Sequence, residues 1–361
     1  MKSHTRIIPI FVPQDSCPYG CIFCNQTAVV GKKKPLSSQE LKSYIHKCLQ
    51  SLQLSSPEGK LPHIEIAYYG GSFTLLPRQL QEEYIRPASE VLKSGLIGGI
   101  RLSTRPDWID NPILSFLRER GVSVIELGVQ TMDDQLLAYI QRGHTSEDVQ
   151  RAMELLKDFG FKTGIQLMIG LPGEDEASRN SSMDKVKSLK PDMVRLHPTL
   201  VIRDTILEQL YLTGEYTPLS LRRAVSILKR LVLEFEAEGI RVIRLGLQPN
   251  RALEKPGTIV AGPYHPALGQ LVASSIFYDL IKLGMERLQL ETMNRLDIEV
   301  SPENISNMIG NKRENLARLK KNYPSCEIRV KGNISLHEDQ MRLSVSDKLI
   351  LIKKEELLSN M

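Results

Sequence analysis

The amino-acid sequence predicts an α/β protein whose main domain is a partial parallel (β/α) barrel, followed by a small C-terminal α+β domain. Short, nearly continuous apolar runs alternate with longer amphipathic stretches, which is the pattern of strand–helix units around a parallel sheet. The predicted strands cover 7–12, 64–69, 99–103, 122–128, 163–169, 193–199 and, as a seventh, 240–247. Helices are predicted between them, among others over 37–53, 78–93, 146–159 and 219–238.

The alternation stops after about residue 288, where a β-α-α-β-β-α order begins. Its predicted elements are a strand over 296–300, two helical stretches around position 310, strands near 326–330 and 341–345, and a final helix near 347–359. We therefore expect a partial barrel over 1–248, a connecting or covering segment over 249–287, and a separate domain over 288–361.

The composition is that of a soluble globular protein, with 41% hydrophobic and 25% charged residues. The net charge of +5 is a small excess and by itself does not indicate nucleic-acid binding. No apolar run approaches the roughly 18 residues that a membrane span needs. The apolar run 7–12 is read as a strand, because no small-residue cleavage site of a signal peptide follows it. These observations predict a cytoplasmic protein that does not bind a membrane.

Every unusual motif follows the carboxyl end of a predicted strand. In chain order they are the cysteine segment 17–24, Gly70-Gly71-Ser72-Phe73, Ser103-Thr104-Arg105-Pro106-Asp107, Gly128-Val129-Gln130, Gly170-Leu171-Pro172-Gly173-Glu174 and His197-Pro198-Thr199. Active sites of parallel barrels lie at that face. Six motifs in the same position indicate one shared site.

Three of the five cysteines, Cys17, Cys21 and Cys24, lie within eight residues of one another. An odd, clustered set is not a disulfide framework and is typical of metal binding. Three thiolates can hold three irons of a cubane cluster and leave the fourth iron open, because thiolate and iron match in softness. The alternative is a structural zinc site, which requires a fourth ligand such as Cys48 or His46.

This CxxxCxxC spacing resembles the signature of the radical S-adenosylmethionine (SAM) superfamily. The resemblance implies a barrel of the radical SAM type with a [4Fe-4S] cluster whose open iron is chelated by the amino and carboxylate groups of SAM. It also implies that one electron, from a donor such as a flavodoxin or ferredoxin, cleaves SAM to methionine and a 5′-deoxyadenosyl radical. That radical abstracts a hydrogen atom from the substrate, so the cofactors carry the chemistry. No catalytic side chain is assigned.

The same resemblance implies a set of residues that contact SAM. Gly70 and Gly71 are similar to the Gly-Gly SAM motif of the superfamily, and Arg105 stands where related enzymes contact the SAM carboxylate. The full set is Phe23, Gly70, Gly71, Ser72, Ser103, Arg105, Gln130, Arg142, Ile165, Gln166 and Met168. The alternatives are a salt bridge at the barrel rim for Arg105 and a buried backbone contact for Gln130. Thr145, which follows Arg142, is also a candidate helix cap.

A more specific similarity is to the radical SAM core of the Elongator catalytic subunit. It is carried by 104–107, by 128–172 with Arg142-Gly143-His144-Thr145, by 197–205 and by 241–244, and it runs from about residue 7 to about 248. It implies transfer RNA (tRNA) as the substrate. The Elongator subunit has a longer spacing between its first two cysteines and an added acetyltransferase domain. Since we find no acetyl-CoA loop after position 248, acetyl transfer is not expected. A looser likeness links the cysteine spacing and the Gly-Leu-Pro-Gly turn to oxygen-independent coproporphyrinogen III dehydrogenase.

The C-terminal loop Gly310-Asn311-Lys312-Arg313 resembles that of a KH RNA-binding module. Such loops clamp the backbone of single-stranded nucleotides between two helices, so Lys312 and Arg313 would meet phosphates. Arg313 departs from the motif, since it replaces the usual second glycine. The alternative is a helical hairpin in which Gly310 only ends a helix.

The leading hypothesis is therefore a radical SAM enzyme that modifies tRNA, with cluster and SAM in the barrel and RNA on the C-terminal domain. A second hypothesis is a radical SAM enzyme that acts on a small molecule. A third is a non-catalytic RNA-binding protein with a structural metal site.

Overall fold

The computed structural model describes residues 5–13, 17, 20–25, 27–28, 35–54, 63–289 and 294–360. The chain forms two compact units. The first comprises Met1–Pro218 and Gln248–Gly262, and the second comprises Leu219–Leu247 and Pro263–Met361. The helix and strand before residue 248 therefore group with the C-terminal residues, whereas the boundaries predicted from the sequence, 248 and 287, stay a prediction. None of the described helices is long and apolar enough to cross a membrane.

The strands and helices alternate as the sequence predicts. The strands are β1 (Arg6–Val12), β2 (Ile64–Gly70), β3 (Gly99–Thr104), β4 (Val122–Gln130), β5 (Lys162–Ile169), β6 (Met193–Pro198), β7 (Val201–Ile202), β8 (Arg241–Leu245), β9 (Ile259–Ala261), β10 (Arg295–Val300), β11 (Glu327–Gly332), β12 (Gln340–Val345) and β13 (Lys348–Lys353). The α-helices are α1 (Ser38–Leu54), α2 (Arg78–Lys93), α3 (Asn111–Glu119), α4 (Asp134–Tyr139), α5 (Ser146–Asp158), α6 (Glu176–Ser188), α7 (Ile206–Leu212), α8 (Leu221–Ala237), α9 (Leu268–Arg287), α10 (Ile305–Ile309) and α11 (Glu314–Asn322).

In the first unit, β1 to β6 form a parallel sheet in the order of the chain. Each strand is joined to the next through at least one helix, which is the arrangement of a partial (β/α) barrel. One face of the strands carries fully buried aliphatic side chains such as Ile66, Ile125 and Leu167. The predicted fold class is therefore confirmed.

A short antiparallel pair, β7 with β9, was not predicted from the sequence. The pair has only two and three residues per strand, which is too short for a period-2 pattern to stand out. It ties the segment after β6 to the return of the chain at 248–262.

The second unit contains a four-stranded sheet in the order β11-β10-β12-β13, with the helices α10 and α11 between β10 and β11. The predicted final helix over 347–359 is wrong, because 348–353 is strand β13 and Lys354–Asn360 is a 3-10 helix. A tight turn with Ser346 at φ +51° pairs Val345 with Lys348 and starts the strand. The apolar run 349–352 contains two isoleucines, whose branched side chains favour a strand.

Candidate cofactor site

The predicted motifs meet at one edge of the parallel sheet. The register pairs Val12 with Gly70, Thr104 with Leu127, and Gly128 with Gln166, so the carboxyl ends of β1 to β5 lie side by side. This edge is where parallel barrels place their active sites.

Backbone hydrogen bonds and apolar contacts of Ile22 hold the segment that carries Cys21 and Cys24. The N–H of Ile22 donates to the carbonyl of Ile140 at 3.2 Å, and the carbonyl of Ile22 accepts from the N–H of Leu207 at 2.8 Å. Ile22 is buried in an apolar cluster against which Phe23 packs. Phe23, a predicted SAM contact, therefore directly follows a residue, Ile22, whose backbone and side chain are both held in place.

The three cysteines differ in exposure. Cys21 is buried, Cys17 is half-buried and Cys24 is exposed. Within the described ranges, no three His, Cys, Asp or Glu side chains converge on one point that could hold a single metal ion. A cubane cluster places its thiolate ligands on separate irons, so it does not need such a point.

Arg142 joins the cysteine segment to the end of β4. Its Nη1 donates to Sγ of Cys21 at 3.6 Å, and its Nη2 donates to the carbonyl of Gly128 at 2.6 Å. The side chain is buried, and its Nε has no hydrogen-bond partner among the described residues. A buried donor of this kind costs free energy unless a ligand accepts from it.

Gln130 ends β4 in a strained conformation. Its φ is +73°, and the pairing of β4 with β5 shifts between Gly128 and Gln130. Its Oε1 is buried and accepts no hydrogen bond from any described residue. A Cβ at Gly128 would lie 2.8 Å from Nη2 of Arg142, so a side chain there would require that guanidinium to move. The unpaired amide oxygen and the unpaired Nε of Arg142 together mark a polar ligand site.

The predicted Gly-Gly turn lies against the residue that ends β1. Gly70 has φ +101°, and a Cβ there would be 3.1 Å from the carbonyl oxygen of Val12. Gly71 and Ser72 follow and are buried. A side chain at Gly70 would therefore press on the carboxyl end of β1.

Arg105 forms hydrogen bonds with other residues of the protein. It forms a bidentate pair with Asp107, at 2.9 and 3.0 Å, and donates to the carbonyl of Arg142 at 2.6 Å. It is almost fully buried. This geometry shows the rim salt bridge, and the contact of Arg105 with a SAM carboxylate stays a prediction. Ser103, two residues earlier, is half-buried beside Glu126 in the register.

The three candidates on β5 lie on two faces. Gln166 and Met168 are half-buried on one face, whereas Ile165, which precedes Gln166, is buried on the opposite face. Met168 packs against the cluster that holds Phe23. Gln166 and Met168 thus fit the predicted site better than Ile165 does.

His144 lies two residues beyond Arg142 and is buried. Its burial, together with the guanidinium groups of Arg142 and Arg105, lowers the pKa of His144 to about 3. The ring is therefore neutral near pH 7. Thr145 accepts from the N–H of Asp148 in a capping box at the start of α5, so the predicted cap is confirmed.

A buried charge network on the inward face of the strands was missed by the sequence analysis. Glu126 of β4 pairs with Arg101 of β3 and Arg195 of β6, Arg101 also pairs with Glu65 of β2, and Arg195 donates to the hydroxyl of Tyr69 at 2.7 Å. Burial alone would lower the pKa of Arg195, but Glu126 raises it well above its usual range. The feature of the sequence that could have revealed the network is one charged residue inside each of four otherwise apolar strands.

In the second unit, the loop after α10 has the backbone of a tight turn. Gly310, Lys312 and Arg313 have φ of +89°, +49° and +64°. A Cβ at Gly310 would lie 2.9 Å from the backbone nitrogen of Asn315, and Asn311 donates to Gln270 at 3.2 Å. Arg313 thus adopts the left-handed conformation that a glycine would take, and both cations are exposed.

Comparison with known proteins gives a consistent family. The profile of the radical SAM superfamily matches residues 11–186, and that of the radical SAM C-terminal domain matches 191–277. The chain is 28% identical over 260 residues to a tRNA uridine(34) acetyltransferase of Methanocaldococcus jannaschii, covering 63% of this chain and 48% of the relative. It is 28% identical over 207 residues to Elongator complex protein 3 of Homo sapiens, covering 52% and 37%.

A solved structure of archaeal Elp3 from Methanocaldococcus infernus, with its N-terminus deleted, superposes with a TM-score of 0.60 at 22% identity. The match covers 86% of this chain and 70% of that chain. At this identity the match shows the fold. The chain spans about half the length, or less, of these two curated relatives. From the two matched profiles, the parallel sheet and the cysteine segment at its carboxyl edge, this chain belongs to the radical SAM superfamily.

Proposed function

We propose that this protein is a radical SAM enzyme that acts on tRNA. The observation that carries the proposal is the contact of Arg142 with Cys21 beside two unsatisfied buried polar atoms, Nε of Arg142 and Oε1 of Gln130. These atoms lie at the edge of the sheet where a charged, polar ligand would meet the cysteine segment.

The residues present fit the two cofactors that the family implies. Cys17, Cys21 and Cys24 would hold a [4Fe-4S] cluster, and the guanidinium of Arg142 would offset its negative charge. The unpaired atoms of Arg142 and Gln130 offer SAM one donor and one acceptor. Gly70 and Gly71 leave the backbone open to close approach. When bound, the two cofactors together supply a radical that removes a hydrogen atom from an unactivated carbon.

The protein itself positions the cofactors and excludes water from them. Gln130 ends β4 and Gln166 pairs with Gly128, so both lie at the carboxyl edge of the sheet. Arg105, held by Asp107, donates to the carbonyl of Arg142 and so fixes the backbone there. Excluding water from this edge prevents side reactions of a radical.

Two observations favour tRNA as the substrate. The relatives include enzymes named tRNA uridine(34) acetyltransferase and Elongator complex protein 3. Lys312 and Arg313 are exposed on a tight loop, as a contact with RNA phosphates requires. The proposal concerns the radical step, since acetyl transfer is not predicted from the sequence.

The test is anaerobic reconstitution with iron and sulfide, followed by addition of dithionite, SAM and total tRNA, with 5′-deoxyadenosine quantified. We expect a yield that rises with tRNA and is lost in the Cys21→Ala variant. A yield that is the same without RNA would contradict the tRNA assignment and favour a small-molecule substrate. No 5′-deoxyadenosine from protein that contains the cluster would contradict the radical SAM activity.

A further inference from the structure

A cavity of about 310 Å³ opens beside the cysteine segment, and we call it the Arg203 notch. It lies between the start of the turn that follows β7 and the 252–258 loop that precedes β9. Two cations line it, Arg203 and Lys255, together with Thr27, Asp204 and Gly257.

The backbone that carries Arg203 is fixed from both sides. The N–H of Arg203 donates to the carbonyl of Thr258 at 3.0 Å, next to the β7–β9 pair. Its carbonyl accepts from Nδ2 of Asn25 at 2.8 Å. Because Asn25 directly follows Cys24, this hydrogen bond connects the Arg203 notch to the cysteine segment.

The loop that carries Lys255 is also ordered by its own hydrogen bonds. Oδ1 of Asn250 accepts from the N–H groups of Ala252 and Leu253, at 2.9 and 3.0 Å. The N–H of Thr258 donates to the carbonyl of Lys255 at 3.0 Å. These bonds close a compact turn and so fix the backbone of Lys255.

The guanidinium of Arg203 lies directly on Gly257. A Cβ at that position would be 2.3 Å from Nη2 of Arg203, so the missing side chain of Gly257 leaves room for the guanidinium to pack there. A guanidinium that is already packed against the protein loses less side-chain entropy on binding a ligand than a freely rotating one does. Its fork geometry suits two oxygens of a phosphate.

The charge of the notch points to an anion. Neither Arg203 nor Lys255 has an acidic partner within 4.0 Å among the described residues, and both are exposed. Asp204 offsets one of the two positive charges, and its backbone N–H is held by Glu208 at 2.7 Å. The residues that line the notch therefore carry a net charge of +1, and the carboxylate of Asp204 can be removed by mutation. Glu208, which is not part of the lining, places a second carboxylate at the backbone of Asp204.

We propose that the Arg203 notch binds a backbone phosphate of the RNA substrate and so holds the strand next to the cysteine segment. This inference rests on the proposed function, because it takes RNA as the ligand. Phosphate contacts of this kind fix register and carry no sequence information. The notch would position the target nucleotide, and the loop of the second unit would add affinity.

The experiment measures binding of a fluorescently labelled tRNA anticodon stem–loop to the reconstituted full chain, by anisotropy across a range of salt concentrations. Arg203→Gln and Lys255→Gln should each weaken binding about tenfold and lower the slope of log K against log salt by roughly one. Asp204→Asn should tighten binding. Arg151→Gln is the matched control, because it removes the same charge from an exposed position on α5.

The two proposals fail in different ways. If the wild type binds the stem–loop and Arg203→Gln binds equally well with the same salt slope, the Arg203 notch is wrong and the proposed function stands. If the wild type does not bind RNA, both are wrong. If Asp204→Asn weakens binding although its iron content is that of the wild type, the notch does not bind a phosphate.

Discussion

Arg142 has three hydrogen-bonding groups with different tasks. One contacts the thiol of Cys21, one is fixed on Gly128, and Nε is unpaired. A cation that donates to a cluster sulfur stabilises the reduced, more negative form of the cluster. Under the proposed function, Arg142 would therefore contact SAM and would also set how readily the cluster is reduced.

Replacing Arg142 with Gln should lower the reduction potential of the cluster. A tenfold change in a one-electron equilibrium is about 59 mV, and we expect a shift on this order. The measurement is a redox titration followed by electron paramagnetic resonance, without SAM. Arg142→Lys, which keeps the charge, should shift less. Equal potentials in the wild type and Arg142→Gln would contradict this role.

His144 makes stability depend on pH. Its native pKa of about 3 lies below the ordinary 6.5, so below pH 6.5 the unfolded chain binds a proton that the native chain does not. The free energy of unfolding must therefore fall as the pH falls from 6.5 toward 3. Between pH 7 and 5 this group should cost about 2 kcal/mol. Urea unfolding of His144→Gln at both pH values should show a correspondingly smaller loss; an identical loss would argue against a neutral buried ring.

At the scale of elements, the charge network ties four strands together on the inward face of the sheet. Glu126 accepts from Arg101 at 3.1 Å and is also bonded to Arg195, and all three are largely buried. Removing one partner of a buried pair leaves an uncompensated charge, which is more costly than the pair's own contribution.

Glu126→Gln should therefore destabilise the protein by roughly 3 kcal/mol in urea unfolding. The control is Glu90→Gln, since Glu90 pairs with Lys42 at 2.9 Å and both side chains are half exposed. That surface pair should contribute less than about 1 kcal/mol. Similar losses for both variants would show that the inward network is solvated.

The sequence predicted the strands of the sheet well because their apolar runs are buried on both faces. It could not predict the inward network, since pairing among Glu65, Arg101, Glu126 and Arg195 depends on strand register. The sequence did offer a rim salt bridge for Arg105 as an alternative, but it could not name Asp107 as the partner, because that pairing requires a particular rotamer. The strand β13 was read as a helix, since a local turn at Ser346 decided its partner.

At the scale of the whole molecule, we propose that one chain combines a radical SAM barrel with a unit that contacts RNA. The matched profiles support the barrel directly. The RNA contacts rest on the exposed cations of the Arg203 notch and on the loop of the second unit. If the radical step acts on tRNA, as proposed, the tRNA is the source of the abstracted hydrogen.

The most direct test of this claim is deuterium transfer from tRNA to 5′-deoxyadenosine. The reconstituted protein would be reduced with SAM and with tRNA transcribed from deuterated nucleotides, and 5′-deoxyadenosine would be analysed by mass spectrometry. The account predicts that the product gains one deuterium, and that the Cys21→Ala variant gives no product. 5′-Deoxyadenosine that forms in the presence of this tRNA without gaining deuterium would contradict it.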